Sequence, residues 1–248
     1  MTFRFAKLLI APGLCITWLG AFSDADLARG QQIPVTARVQ LVSKGQSKPA
    51  AVGGDADVVV WLRALDSTAR EVDPAPKRQK LIQSHKTFEP HLLVVRVGSV
   101  VDFPNRDPFF HNVFSLFEGK RFDLGLYEAG ATNSVRFDRV GVSFLFCNIH
   151  PEMSAVVVSV DTPYFGVSDA SGKVTIANVP DGRYEVHYWS ERALPDSLKQ
   201  STRTITITDS DRNLALTQLV ENPNLTTMHK NKYGQDYIPP PRTDYPHP

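Results

Sequence analysis

A cysteine, a histidine and a methionine stand at three-residue intervals in one short stretch of the chain. Cys147 ends an apolar run, His150 lies three residues later, and Met153 lies three residues after that. Thiolate, imidazole and thioether groups are soft or borderline donors, which suit copper better than any hard ion. A trigonal copper site takes one thiolate and two imidazoles, with a long thioether contact along its axis. This stretch supplies three of those four ligands.

The second imidazole must come from another loop, and His111 is the best candidate. Asn112 follows it and is expected to fix the sulfur through its backbone N–H, or to cross between the loops through its side-chain amide. The sequence therefore predicts one copper ion held by His111, Cys147, His150 and Met153. Met153 has an alternative role, since an isolated methionine near a strand start often fills the core.

Other uses of the same residues fit the pattern less well. A structural zinc site would need a second close pair of cysteines or histidines, and none stands beside Cys147 and His150. A catalytic thiol would need an orienting Asp or Asn, and the surroundings of Cys147 are apolar. No catalytic constellation is apparent, so we expect a protein that is not an enzyme.

Composition limits the class of protein. The chain has 248 residues, of which 42% are apolar and 10% aromatic, which is typical of a globular protein with a substantial core. Its formal net charge is +1. Such a balanced charge gives no reason to expect a nucleic-acid partner.

The first 25 residues have the pattern of an export signal. A positively charged start precedes an apolar run, and small residues follow it, so cleavage is expected after Ser23 or Ala25. The run is short and is interrupted by Pro12-Gly13, which argues against a membrane span in the mature protein. We therefore expect a periplasmic protein in which Cys147 is the single cysteine, because Cys15 leaves with the signal.

Hydrophobic patterning predicts an all-β fold. Eight short strands are expected between residues 33 and 161, which would form a β-sandwich, and the segment 66–85 is expected to be a surface excursion with little structure. The predicted strands are Val35–Val42, Asp57–Leu62, Leu92–Val97, Val100–Phe103, His111–Leu116, Ser134–Phe137, Val142–Cys147 and Ala155–Val160.

A second, smaller β-sandwich is predicted over residues 162–220. Two alternating strands flank a Pro-Asp-Gly turn at residues 180–182, and two further strands are expected at 202–207 and 214–219. Residues 221–248 are rich in Pro, Asn, Tyr and Lys and are predicted to be an extended or disordered tail.

The candidate ligands and their surroundings resemble the cupredoxins of the plastocyanin and amicyanin group. The resemblance rests on the segments Gly98–Asp107, His111–Val113 and Cys147–Met153 and covers about residues 88–160. It implies a Greek-key β-sandwich and a type 1 (blue) copper site in which His111, Cys147, His150 and Met153 match the four ligand positions. The two-residue gaps on both sides of His150 are closer to amicyanin. Residues 178–184 resemble, more weakly, the prealbumin-like carboxypeptidase regulatory-like domains.

Three functions remain open on this basis. The first is electron transfer between periplasmic redox proteins, where the similarity to amicyanin suggests methylamine utilization. The second is copper storage or delivery, for which the pair Met228-His229 is the one hint of a loading site. The third is a surface interaction protein with a structural copper ion. The sequence does not specify an oligomeric state.

Overall fold

The computed structural model describes residues 33–44, 54–66, 76–116, 119–225 and 229–237. The predicted export signal, residues 1–25, lies outside them. The described residues form an all-β protein with one short helix, which confirms the predicted fold class. In chain order the elements are β1 (Val35–Val42), β2 (Val59–Ala64), β3 (Gln79–Lys80), β4 (Ile82–Ser84), β5 (Thr87–Glu89), β6 (Leu92–Arg96), β7 (Val100–Pro104), β8 (His111–Ser115), β9 (Phe122–Tyr127), β10 (Thr132–Arg136), β11 (Gly141–Phe146), β12 (Ser154–Val160), β13 (Phe165–Val167), β14 (Lys173–Ile176), β15 (Gly182–Trp189), α1 (Pro195–Ser201), β16 (Arg203–Ile207) and β17 (Thr217–Val220).

The middle of the chain folds into a first sandwich of two sheets. One sheet has the order β6-β12-β11-β8-β9 and the other the order β10-β7-β3. Alternate residues of their strands enclose one apolar core, which also contains Cys147 and Met153. Among its largest fully buried side chains are Phe103, Phe137 and Leu145. Two of the four candidate ligands, Cys147 and Met153, therefore belong to the packed core itself.

The second sandwich combines the first two strands of the described chain with the last five. Its sheets have the orders β14-β1-β17 and β13-β2-β15-β16. Val35 of β1 lies opposite Ile176 of β14, and Trp61 of β2 lies opposite His187 of β15. The sequence grouped β1 and β2 with the copper-binding strands in a domain of residues 33–161. The pairing corrects that grouping, since both strands complete the sandwich that was assigned to residues 162–220.

The two sandwiches share a third apolar cluster. Val94, Val156 and Val158 of the first sandwich pack there with Val59 of the second, and Trp61 and Trp189 contact the cluster from its edge. Strand β12 is therefore buried on both faces, which explains why residues 155–158 form an unbroken apolar run rather than an alternating one. In sequence, the first sandwich is inserted between β2 and β13 of the second, and this apolar contact holds the two sandwiches together.

Other predictions need smaller corrections. The segment 66–85, expected to have little structure, contains β3 and β4, and strands β5 and β9 were not predicted. Residues 229–237, within the predicted tail, contain no helix or strand, but they contact the first sandwich. In the described part of the chain, no helix has the length and apolar character needed to cross a membrane.

Candidate metal centre

Two neighbouring strands bring the candidate ligands to one edge of a sheet. His111 is the first residue of β8, and Cys147 directly follows β11. These strands are antiparallel, with Phe146 opposite Phe114, so the start of one lies beside the end of the other. His150 follows Cys147 in the loop between β11 and β12. Ligands that are 36 residues apart in sequence thus become neighbours through strand pairing.

Three donor atoms converge on one point. The Sγ atom of Cys147 lies 3.5 Å from Nδ1 of His150 and 3.8 Å from Nδ1 of His111, and the two Nδ1 atoms are 3.1 Å apart. A triangle with these sides has a circumscribed radius of about 2.0 Å, close to the roughly 2.0–2.3 Å that separates zinc from imidazole nitrogen or thiolate sulfur. The donor set of two imidazoles and one thiolate is the set that a trigonal copper site uses. The residues present therefore fit a copper ion.

The pocket is largely buried, and this burial acts on its ionisable groups. Burial raises the pKa of the Cys147 thiol, while backbone N–H groups of Asn112, Ile149 and His150 favour the thiolate. Burial also lowers the pKa of His150, and the proximity of His111 adds to this effect. His150 is consequently neutral at pH 7, the form that binds metals, whereas the thiol must release its proton on ligation.

The loop that carries the candidate ligands, residues 147–153, is short and is held by backbone hydrogen bonds within it. The N–H of Cys147 donates to the carbonyl oxygen of Met153, at 3.3 Å, and the N–H of Met153 donates to that of His150, at 3.1 Å. The Met153 side chain is fully buried in the same core as Cys147. Its role as the axial ligand stays a prediction.

Of the two roles that the sequence left open for Asn112, the contact of its backbone with the sulfur is present. Its N–H group hydrogen-bonds the Cys147 sulfur. Its side-chain amide instead donates to Asp123, at 2.7 Å, and to the Gly125 carbonyl oxygen, at 2.9 Å, on β9. The strand pairing is irregular between Asn112 and Phe114, a kind of bulge that is common beside functional sites.

Asp107 orients His111, a role that sequence reasoning missed. Its Oδ2 atom lies 2.7 Å from Nε2 of His111, and both groups are buried. An Nε2–H that donates to this carboxylate leaves Nδ1 as the free acceptor, turned toward the sulfur. Burial alone would raise the pKa of Asp107, but hydrogen bonds from Lys86, His111 and His85 outweigh it and hold that pKa below its usual value.

The turn between β4 and β5 holds Asp107 in place. His85 and Lys86 both have a positive φ, as the two central residues of a tight hairpin turn require. Their N–H groups donate to the two carboxylate oxygens of Asp107, at 2.6 and 3.0 Å. A sequence signal existed, because an acid four residues before a ligand histidine is a candidate partner for its ring.

Replacing Asp107 by asparagine tests this orienting contact. We expect Asp107→Asn to weaken Cu(II) binding by about 10- to 100-fold, the usual effect of losing a partner of a metal-bound imidazole. The amide keeps the size of the carboxylate but cannot accept all three hydrogen bonds. A competition titration with a chelator measures the change. The matched control is Asp138→Asn, a half-exposed residue paired with Lys120, and equal affinities in the two variants would contradict the role of Asp107.

Apolar side chains surround the exposed side of the site. The Phe109 ring contacts the rings of His111 and His150, with centroid distances of 5.2 and 5.5 Å. Phe110 is 55% exposed and Ile149 is 42% exposed. Phe109 and Ile149 thus lie beside the metal pocket, and Phe110 exposes its ring next to them.

Comparisons with known proteins find similar solved structures. No protein-family profile and no curated protein matches the chain. A purple cupredoxin from Nitrosopumilus maritimus is 23% identical over 33% of this chain and 99% of its own, with a TM-score of 0.30. A reduced amicyanin variant is 24% identical over 40% of this chain and 91% of its own, with a TM-score of 0.32. A copper-containing nitrite reductase from Thermus scotoductus is 21% identical over 40% of this chain and 26% of its own, with a TM-score of 0.33.

Proposed function

We propose that this chain is a cupredoxin-like, periplasmic type 1 copper protein that carries single electrons between redox partners and is not an enzyme. The observation that carries the proposal is the convergence of one cysteine sulfur and two histidine nitrogens in a buried pocket. His111, Cys147 and His150 would hold one copper ion, with Met153 as the axial donor. When bound, the ion supplies the one-electron couple between Cu(II) and Cu(I).

The protein's own residues supply rigidity around that ion. Asp107 fixes the His111 ring, and the Asn112 N–H fixes the Cys147 sulfur. Because the donors already stand at ligand spacing in the folded chain, little rearrangement is needed when the charge of the site changes. A small rearrangement is the property that fast electron transfer requires.

The surface near His150 suits a transient redox partner. Phe110 and Ile149 expose apolar area beside a ligand that is itself only partly buried. Small apolar contacts of this kind support short-lived complexes of the type that redox proteins form. The partners would be other periplasmic redox proteins, and the amicyanin-like spacing of the ligand loop makes methylamine utilization the first pathway to examine.

Copper storage or delivery is the alternative, and the geometry favours it less. His111 and Cys147 are both fully buried, whereas a delivery site needs ligands that an acceptor can reach. His229, half of the Met228-His229 pair, stacks on Phe146 with a centroid distance of 4.1 Å and does not form an open site. Met228 lies outside the described residues.

Titration of the metal-free protein with Cu(II) tests the proposal. We expect one equivalent to produce an intense visible absorption band from the sulfur-to-copper interaction, and a mild reductant to bleach it. Zn(II) is the matched control, since it should bind without colour. A colourless Cu(II) complex would overturn the proposal. Rapid transfer of the bound ion to a metal-free acceptor, with slow electron exchange, would instead favour delivery.

A further inference from the structure

Residues 229–237, which we name the C-terminal strap, lie across the loop that carries the candidate ligands. The Tyr237 hydroxyl donates to the carbonyl oxygen of Cys147, at 2.7 Å. The N–H of Lys232 donates to the side-chain oxygen of Asn148, at 2.9 Å. The His229 ring stacks on Phe146, the residue before the cysteine, with 26° between the ring planes. Three residues of the strap therefore contact three consecutive residues, Phe146 at the end of β11 and the first two residues of the loop.

The strap also holds the opposite side of the pocket. The Lys232 ammonium group lies 2.7 Å from a carboxylate oxygen of Asp123 on β9. The other oxygen of Asp123 accepts a hydrogen bond from the Asn112 side chain, at 2.7 Å. Asn112 in turn follows His111 and donates its N–H to the Cys147 sulfur. The strap thus joins the two segments that supply the ligands, which are separate in sequence.

We propose that the C-terminal strap positions the metal-binding loop and that Tyr237 is its principal positioning residue. Its hydroxyl holds the Cys147 carbonyl, so the thiol stays turned into the pocket before any metal arrives. The Tyr237 ring packs edge-on against His229, with a centroid distance of 5.3 Å, which fixes the direction of the hydroxyl. The inference rests on the proposed function, because a loop held in this way matters for a site that must bind copper without rearranging.

The size of the effect follows from the bond that is removed. A neutral hydrogen bond of this kind shifts a local opening equilibrium by about two- to tenfold. Opening of the loop exposes the buried Cys147 thiol, so its reactivity in the metal-free protein reports that equilibrium. The readout needs no copper.

The test compares two tyrosine-to-phenylalanine variants of the metal-free full chain. The reaction of Cys147 with an aromatic disulfide reagent is followed by mass spectrometry of its peptide, which separates it from Cys15. We expect Tyr237→Phe to react about two- to tenfold faster than the wild type. Tyr233→Phe, the matched control on the same strap, is 71% exposed and should react at the wild-type rate. Equal rates in wild type and Tyr237→Phe, or equal acceleration in both variants, would overturn the proposal.

A second variant keeps the test decisive if Tyr237→Phe lowers global stability. Lys232→Met removes the ion pair with Asp123 and the contact of the ammonium group with the Tyr233 ring, and it keeps the contacts of His229 with Phe146 and Tyr237. This variant should also accelerate the reaction of Cys147. The rates are measured without urea, where global unfolding does not contribute. An unchanged rate would contradict the proposal that the strap positions the loop. An unchanged thiol reactivity would leave the copper proposal standing, whereas a colourless Cu(II) complex would leave the positioning of the loop intact.

Discussion

Cys147→Ser is expected to abolish the intense visible band of the Cu(II) protein and to reduce Cu(II) affinity by more than about 100-fold. The loss should exceed the roughly 10- to 100-fold effect of removing an outer partner, because the thiolate is itself the strongest donor of the set. Serine is close to cysteine in size and should preserve the packing around this buried position. Visible absorption after addition of one equivalent of Cu(II) measures the outcome.

A pair of histidine variants provides the control for this experiment. His111→Asn removes one of the two converging imidazoles and should also eliminate the band. His91→Asn changes a half-exposed histidine that is bound to Glu191 and should leave the band unchanged. A visible band that persisted in Cys147→Ser would mean that the sulfur is not a ligand, and the proposed type 1 site would be wrong.

Val158→Asp should destabilise the protein by about 3–5 kcal/mol, the usual effect of leaving a charge buried without a partner. Val158 is 2% exposed and lies in the apolar cluster between the two sandwiches. A carboxylate there would be desolvated among valines that offer no hydrogen bond. Denaturation by urea, followed by circular dichroism, gives the change in the free energy of unfolding.

The matched control for this variant is the same substitution at an exposed valine. Val140 is 51% exposed, so Val140→Asp should change stability by no more than about 0.5 kcal/mol. Similar stabilities of the two variants would show that the sandwiches do not pack through β12. Removal of the residues beyond 161 would also destabilise the chain, because β1 and β2 would lose their partner strands.

The local sequence was sufficient to predict that Cys147, His150 and Met153 lie close together. Cys147, His150 and Met153 lie within seven residues of each other, and a loop of that length keeps its members close in any fold. His111 was predicted from donor chemistry alone, since a trigonal copper site needs a second imidazole. The structure brings His111 to the other two donors through the pairing of β8 with β11.

The all-β class was equally accessible from sequence, because alternation of apolar residues is a local property. Strands β1 and β15 follow it closely, since nearly every second residue in them is buried. Strand β12 was found instead from its apolar run. The short strands β3 to β5 escaped prediction, since two or three residues carry too little periodicity to be recognised.

Only the tertiary structure shows which segments that are distant in sequence pair with or contact each other. The sequence determined which residues can bind copper and that the chain forms β-strands. Strand pairing decided that β1 and β2 join β13 to β17, and the β4–β5 turn decided that Asp107 would hold His111. The contact between Tyr237 and Cys147 spans 90 residues. Hydrophobic pattern and donor chemistry are properties of neighbouring residues, whereas the choice among many possible distant partners depends on the packing of the whole chain.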